Sequence, residues 1–205
     1  MGGFDSLLSD LLRKEIESYL GKTTVHKIEK RLFEKYGMTL TESMNNFANL
    51  DDTLREIFGG GSRGIVRSVL NNFCSLKKNA GKKDSLVMLH NPKMTEMILE
   101  MLGDKDYRKI LDMLIDQSLT PYEIFDKVDI PQASAYRKID ILVNSGLLVE
   151  DGKVPGNSTG RPAVKLATLY RGLDINIVKN KITVQVKISR DMLQKSTIFS
   201  TLYSV

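Results

Sequence analysis

The chain has 205 residues, of which 41% are hydrophobic and 27% are charged, and it contains a single cysteine. These proportions are typical of a soluble globular protein and exclude a collagen-like chain, a disordered chain and a disulfide scaffold. A net charge of +5 suits a polyanionic partner but does not identify one.

The first twenty residues mix acidic side chains with short apolar steps, which differs from the basic and then apolar layout of a secretory signal. No apolar run approaches the roughly eighteen residues that a membrane span requires. We therefore expect a soluble, cytoplasmic protein with no membrane contact.

Residues 1–76 are predicted to form a mainly helical domain. Apolar residues recur at helical spacing over 4–12 and again over 25–33, and Gly21 and Gly37 stand where helices would end. Three or four short helices with wide apolar stripes favour a bundle that completes its core against a second subunit. This region is therefore the candidate dimerisation domain of a homodimer.

Catalytic, metal and cofactor sites are not expected. Only Cys74, His26 and His90 could supply nitrogen or sulfur ligands, and no convincing catalytic set can be assembled from two histidines. The run 59–64, GGGSRG, could hold an anion, but a flexible loop fits it better because the Gly-Lys-Ser/Thr ending of a nucleotide loop is missing. Cys74 is interpreted as a small buried hydrophobe, with a redox-sensing thiol as the alternative.

Residues 77–90 are predicted to be a lysine-rich linker, because 77–85 combine four lysines with no aliphatic side chain larger than alanine. Asn91 as N-cap and Pro92 in the first turn then begin a helix that opens a second domain, residues 91–205.

The second domain contains the pattern of a helix-turn-helix. A first helix is predicted over 106–117, and Thr120, Pro121 and Glu123 supply the N-cap, first-turn proline and return partner of a capping box. A third helix is predicted from 132 to a glycine cap at Gly146. Two short helices behind a third are the skeleton that places a recognition helix in the DNA major groove.

The third helix presents candidate base-reading and phosphate-binding side chains opposite the predicted inner residues Ala135 and Ile139. Gln pairs with adenine, Arg with guanine and a methyl group with thymine, whereas Ser, Tyr and Lys bind phosphate. The predicted DNA-binding residues of this helix are Gln132, Ala133, Ser134, Tyr136, Arg137 and Lys138.

Two strands joined by a loop rich in glycine, proline and asparagine are predicted after Gly146, and they form a β-wing. The wing carries Lys153, Arg161 and Lys165, which we expect on the DNA backbone or, for Arg161, at the minor groove. Alternating apolar residues around 179–181 predict a further C-terminal β-hairpin that extends the wing sheet. Residues 191–203 could form a helix that covers this sheet or contacts a second subunit.

Residues 106–170 resemble ArsR-like winged-helix regulators, especially archaeal ones. The resemblance is carried by Gln-x-Ser-x-Tyr-Arg at 132–137, by the small-Gly-Leu-Leu exit at 145–148 and by Gly-Arg-Pro at 160–162. The cysteine and histidine ligands of metal-sensing relatives are missing here, so the resemblance does not imply metal sensing. Residues 4–73 resemble a small helical output domain found in archaea beside regulatory and sensory modules, which leaves open an unknown effector.

The sequence thus predicts an α+β protein with a helical N-terminal domain, a winged helix-turn-helix domain and a C-terminal β-hairpin. The function it favours is sequence-specific transcription regulation on double-stranded DNA, without enzymatic activity. The alternative is a winged-helix adaptor that binds another protein through its acidic second helix, with Glu123, Asp126 and Asp129.

Overall fold

A computed structural model describes residues 3–77, 84–155, 162–179, 181–196 and 198. The N-terminal part is helical, and the remainder combines helices with antiparallel strands, so the chain is a mixed α+β protein.

The N-terminal part contains more helices than the three or four predicted. Within the described residues it has five α-helices: α1 (Gly3–Leu20), α2 (Lys22–Tyr36), α3 (Leu40–Asn45), α4 (Phe47–Phe58) and α5 (Ser62–Asn71). Gly37 ends α2 with a left-handed φ of 65°, as the sequence predicted. Phe47, Leu54 and Leu70 are among the fully enclosed side chains of this bundle.

A four-stranded antiparallel sheet follows the bundle. Its strands are β1 (Cys74–Lys77), β2 (Asp84–Leu89), β5 (Gly172–Val178) and β6 (Lys181–Ser189), in the spatial order β1-β2-β6-β5. The prediction of a linker over 77–90 is therefore wrong for residues 84–89, which form a central strand. Successive side chains of a strand point to opposite faces of the sheet. Val87 and Leu89 lie on the face that covers the core, and both are fully buried. Residues 78–83 lie outside the described residues.

The region between β2 and β5 contains four helices and a hairpin. These elements are α6 (Pro92–Gly103), α7 (Lys105–Met113), α8 (Pro121–Lys127), α9 (Gln132–Asn144), β3 (Leu148–Val154) and β4 (Ala163–Thr168). Strands β3 and β4 pair antiparallel, and Leu119, just before α8, forms a bridge to Leu166 of β4. The Asn91 side chain caps α6 by accepting hydrogen bonds from the Lys93 and Met94 N–H groups, as predicted.

The C-terminal hairpin is confirmed, but its predicted place is wrong. Strands β5 and β6 pair antiparallel, yet they join β1 and β2 and do not extend the β3–β4 sheet. The reason is that β6 pairs along its other edge with β2, which places Val184 and Val186 in the core. A short helix, α10 (Arg190–Gln194), follows and buries Leu193. Residues 199–205 lie outside the described residues.

None of the helices in the described ranges combines the length and the apolar character that crossing a bilayer requires.

Candidate nucleic-acid interface

The helix before the predicted reading helix is fixed by a complete capping box. The Thr120 hydroxyl accepts a hydrogen bond from the Glu123 N–H at 3.3 Å, and the Glu123 carboxylate accepts one from the Thr120 N–H at 2.7 Å. These hydrogen bonds stabilise the Glu123 carboxylate, so its pKa is lowered, first by the backbone N–H of Thr120 and then by its hydroxyl. The start of α8 is therefore well determined, as the sequence predicted.

Helix α9 has one buried face and one exposed face. Ala135, Ile139 and Leu142 are at most 4% exposed and pack into the core of this region. The helix ends at Asn144, and Gly146, two residues later, has a φ of 75°, the left-handed conformation that favours glycine. Burial of this face fixes the rotation of α9, so it decides which side chains face solvent.

Most of the predicted base-reading residues lie on the exposed face of α9, in its first two turns. Gln132, Ala133 and Arg137 are exposed, and Ser134 is half-buried at the edge of that face. Neither Gln132 nor Arg137 makes a side-chain hydrogen bond or ion pair with any other residue that the structure describes. Their polar groups are therefore available to a ligand.

Tyr136 combines packing with exposure. Its ring contacts Phe125 of α8, with centroids 3.9 Å apart and planes tilted by 45°, and its side chain is still 49% exposed. The contact holds α9 against α8, while the exposed half of the ring lies beside Gln132 and Arg137 on the helix surface. Both interpretations of Tyr136, as a contact residue and as a cover for the core, are compatible with this position.

The prediction that Lys138 lies on the outer surface is wrong. Its side chain is only 9% exposed, and its ammonium group forms ion pairs with Asp104 and, at 3.6 Å, with Asp106. The same ammonium lies 4.4 Å from the centroid of the Tyr107 ring. Burial opposes the charged form, but the hydrogen bond and charge of Asp104, helped by Asp106 and Tyr107, outweigh it, so the pKa of Lys138 is raised.

Lys138 therefore connects α9 to the junction between α6 and α7. Its partner Asp104 is also the N-cap of α7 and accepts hydrogen bonds from the Asp106 and Tyr107 N–H groups at 2.7 and 3.3 Å. Sequence reasoning missed this contact, although a signal was present. Lys138 stands three residues after Ala135 and four before Leu142, which is the spacing of the inner face.

The exposed face of α9 is close to electrically neutral in the described part of the chain. With Lys138 withdrawn, Arg137 is its exposed cation, and Asp140 lies one turn later on the same side. Helix α8 adds two acidic side chains and one basic side chain, Glu123, Asp126 and Lys127, and the Glu123 carboxylate is within electrostatic range of Lys165 and Lys127. Positive charge for a polyanion must therefore come mainly from the neighbouring hairpin.

The β3–β4 hairpin carries part of the predicted basic wing. Lys153 is exposed near the end of β3, and Lys165 on β4 is half-buried. The register shifts between Glu150 and Lys153, where Gly152 has a φ of 97°, so the strand carries a bulge just before Lys153. Arg161 lies outside the described residues, as do its neighbours from 156.

Two further expectations concern the N-terminal part. Gly59–Gly61 forms a short 3-10 helix that leads directly into α5, where a flexible loop was predicted. Cys74 is 1% exposed, and burial raises the pKa of its thiol to about 12. Such a thiol is a poor nucleophile at neutral pH, which favours the buried hydrophobe over the redox sensor.

In the comparisons with known proteins, no protein-family model, no curated protein and no solved structure matches this chain.

Proposed function

We propose that the chain is a sequence-specific DNA-binding transcription regulator in which α7 to β4 act as a winged helix-turn-helix. Helix α9 would enter the major groove, and the β3–β4 hairpin would contact the minor groove or the backbone. The proposal is supported by the element order, by the short connection over residues 128–131 between α8 and α9, and by the hairpin that directly follows α9.

The observation that carries the proposal is the surface of the first two turns of α9. There, Gln132 and Arg137 project without partners in the described part of the chain, and Ala133 is exposed between them. Arginine and glutamine are the side chains that pair bidentately with guanine and adenine, and the small methyl group of Ala133 allows close approach to a base edge.

The contributions of the basic residues follow from their surroundings. Lys153 and Lys165 of the hairpin remain candidates for phosphate contacts, as does Arg161 from its place in the sequence. Lys138 instead acts as a positioning residue, because its ion pair with Asp104 holds α9 against the α6–α7 junction. We accordingly assign base preference to Gln132, Ser134 and Arg137, and affinity to the hairpin.

The test is fluorescence anisotropy with duplex DNA, first of random sequence and then of a site selected by the protein. Arg137→Ala is compared with Arg63→Ala, which removes the same charge from the exposed surface of α5. We expect Arg137→Ala to cost about 1 to 3 kcal/mol on the selected site and to relax preference at one base position. The Arg63→Ala variant should bind like the wild type.

A loss that is equal on every DNA sequence would refute the base-reading role of Arg137 and leave only a phosphate contact. An equal loss from both variants would show that net charge matters and the α9 surface does not.

One observation favours the second candidate, a winged-helix adaptor that binds another protein. Tyr122 of α8 is 75% exposed, and Asp126 is exposed on the same helix. Exposed tyrosines are enriched at protein interfaces, and the near-neutral α9 surface would not repel a protein partner. If no DNA binds even at low salt, the adaptor becomes the better proposal, and Tyr122→Ala is then the variant to test for loss of the partner.

A further inference from the structure

The outer strand β5 of the four-stranded sheet is unusually apolar for an exposed edge. Ile175, Ile177 and Val178 are 40%, 63% and 58% exposed. Within the described residues β5 hydrogen-bonds to one strand only, β6, so the other edge of its backbone has no strand partner. A long, apolar edge strand is a ready template for pairing with another chain.

The exposed isoleucines belong to the inner face of the sheet. Ile175 is opposite Val184 and Ile177 is opposite Ile182 in the β5–β6 register, and directly opposite residues share a face. Val184 of β6 is fully buried, whereas Ile175 and Ile177 of β5, on the same face of the sheet, lie beyond the edge of the core and are exposed. The apolar surface therefore continues from the core of one molecule out to its edge, where it stays uncovered.

The surface complements itself when two strands run antiparallel. In a two-fold register centred on Asn176, Ile175 of one copy is opposite Ile177 of the other, and the two Asn176 amides face each other. An amide both donates and accepts, so this pair can satisfy itself. On the other face of the sheet, the two Ile175–Ile177 pairs would each place one isoleucine directly opposite another.

The charges select the same orientation. Asp174 lies near the start of β5 and Lys179 directly follows its end. In the antiparallel register, Asp174 of each copy is opposite Val178 of the other, and its carboxylate already forms an ion pair with Lys187 of its own β6, at 3.5 Å. A parallel, in-register alignment would instead place the two Asp174 carboxylates opposite each other, so the avoidance of like charges favours the antiparallel pair.

We propose that two copies of this chain associate by antiparallel pairing of their β5 strands, centred on Asn176, into one eight-stranded sheet. The interface lies in the C-terminal hairpin and not in the N-terminal helices where the sequence predicted it. It does not depend on DNA binding, because neither α9 nor the β3–β4 hairpin takes part.

The first test is a disulfide that reports the register. In the Asn176→Cys variant, the two substituted positions are directly opposite, with Cα atoms about 4.5 to 5.5 Å apart, within the range that a disulfide can bridge. In the matched Asp174→Cys variant, the two positions are four residues apart along the strand, about 13 Å. Cys74 does not compete, since it is buried and its thiol pKa is raised to about 12.

We expect mild oxidation without DNA to give a covalent dimer of Asn176→Cys and little of Asp174→Cys. Equal cross-linking of the two variants, or none of either, would overturn the register.

The second test is sedimentation equilibrium without DNA. The Ile175→Lys, Ile177→Lys double variant is compared with Phe33→Lys, which replaces an apolar side chain of α2 that is 68% exposed. The dissociation constant of the dimer should rise about tenfold or more for the double variant, as expected when charge enters an apolar edge, and should not change for Phe33→Lys. Circular dichroism checks that both variants fold.

A monomeric wild type at concentrations up to about 100 μM, a weak affinity for an interface between copies, would overturn the proposal. So would a dimer that only Phe33→Lys dissociates, because its interface would lie in the N-terminal helices. Since oligomeric state is measured without DNA, these outcomes are separate from failure of the DNA-binding proposal.

Discussion

Arg137 and Lys138 are adjacent cations with opposite surroundings. The Arg137 side chain is exposed without a described partner, whereas Lys138 is enclosed and paired with Asp104. Both residues add one positive charge, but consecutive side chains of an α-helix point about 100° apart around its axis. The first is suited to recognise a ligand and the second to hold the helix that presents it.

This difference predicts separable effects of two matched substitutions. Lys138→Met should lower Tm by about 3 °C or more, because it removes the partner of Asp104 and a contact between α9 and the α6–α7 junction. Arg137→Met should leave Tm nearly unchanged, since the side chain stabilises nothing described. Differential scanning calorimetry measures Tm, and anisotropy measures DNA binding.

DNA binding should weaken in both variants, by lost recognition in Arg137→Met and by lost positioning in Lys138→Met. If Lys138→Met has an unchanged Tm but weaker binding, Lys138 contacts DNA directly and its positioning role is refuted.

Helix starts that depend on neighbouring residues are the elements that the sequence predicts best. The capping box of α8 and the Asn91 cap of α6 form as predicted, because each depends on residues within one turn. Strand β2 was missed because the preceding lysines indicate a solvated linker, and residues 86–89 form a short apolar run without the polar and apolar alternation of a half-buried strand. The pairing of β2 with β6 was beyond prediction, since it joins segments about a hundred residues apart and no short-range pattern encodes it.

The α8 cap gives a prediction with an internal control. Thr120→Ala should lower the free energy of unfolding by about 1 kcal/mol and weaken DNA binding, because α8 supports α9. Thr39→Ala removes the equivalent capping box of α3 and should cost a similar amount of stability without affecting DNA binding. Urea denaturation and anisotropy distinguish the two, and a binding loss in Thr39→Ala would argue against a local effect.

The same caps predict a dependence on pH. The pKa values of Glu123 and Glu42 are lowered by hydrogen bonds from the backbone and hydroxyl groups of Thr120 and Thr39. A carboxylate whose folded pKa is depressed stabilises the fold above its unfolded pKa, about 4.3, and that stability is lost as the pH falls through the folded value. Urea midpoints should therefore be constant near neutral pH and fall below about pH 5.

Thr120→Ala should flatten this fall, because the Glu123 pKa returns toward its ordinary value. If the urea midpoint of Thr120→Ala falls with decreasing pH as steeply as that of the wild type, the cap does not contribute to the acid sensitivity.

The structure removes one predicted basic contact, Lys138, from the surface of the molecule. Residues 106–170 carry eight basic and nine acidic side chains, and removing Lys138 from the surface leaves Arg137, Lys153, Arg161 and Lys165 as the candidate contacts. Helix α1 contacts both α9 and β3, so the N-terminal helices pack against the elements that carry the proposed DNA-binding residues.

Four candidate cations set the expected salt dependence. Neutralising about three or four phosphates gives a slope of about −3 for log K against log salt, which is about a 60-fold loss of affinity between 50 and 200 mM salt. Anisotropy with random duplex DNA over this range measures the slope. A slope near zero would exclude phosphate-driven binding and favour the protein adaptor.

The position of β2 beside β6 also bears on how the chain folds during synthesis. The segment from α6 to β5 lies between two strands that hydrogen-bond to each other, so the β2–β6 pairing cannot form until β6 has been synthesised. Closing so long a loop costs conformational entropy before any contact between the strands stabilises it, so this pairing is expected to form slowly. The N-terminal helices, with mostly local contacts, can form first. The edge of β2 that pairs with β6 then stays exposed until β5 and β6 have been synthesised.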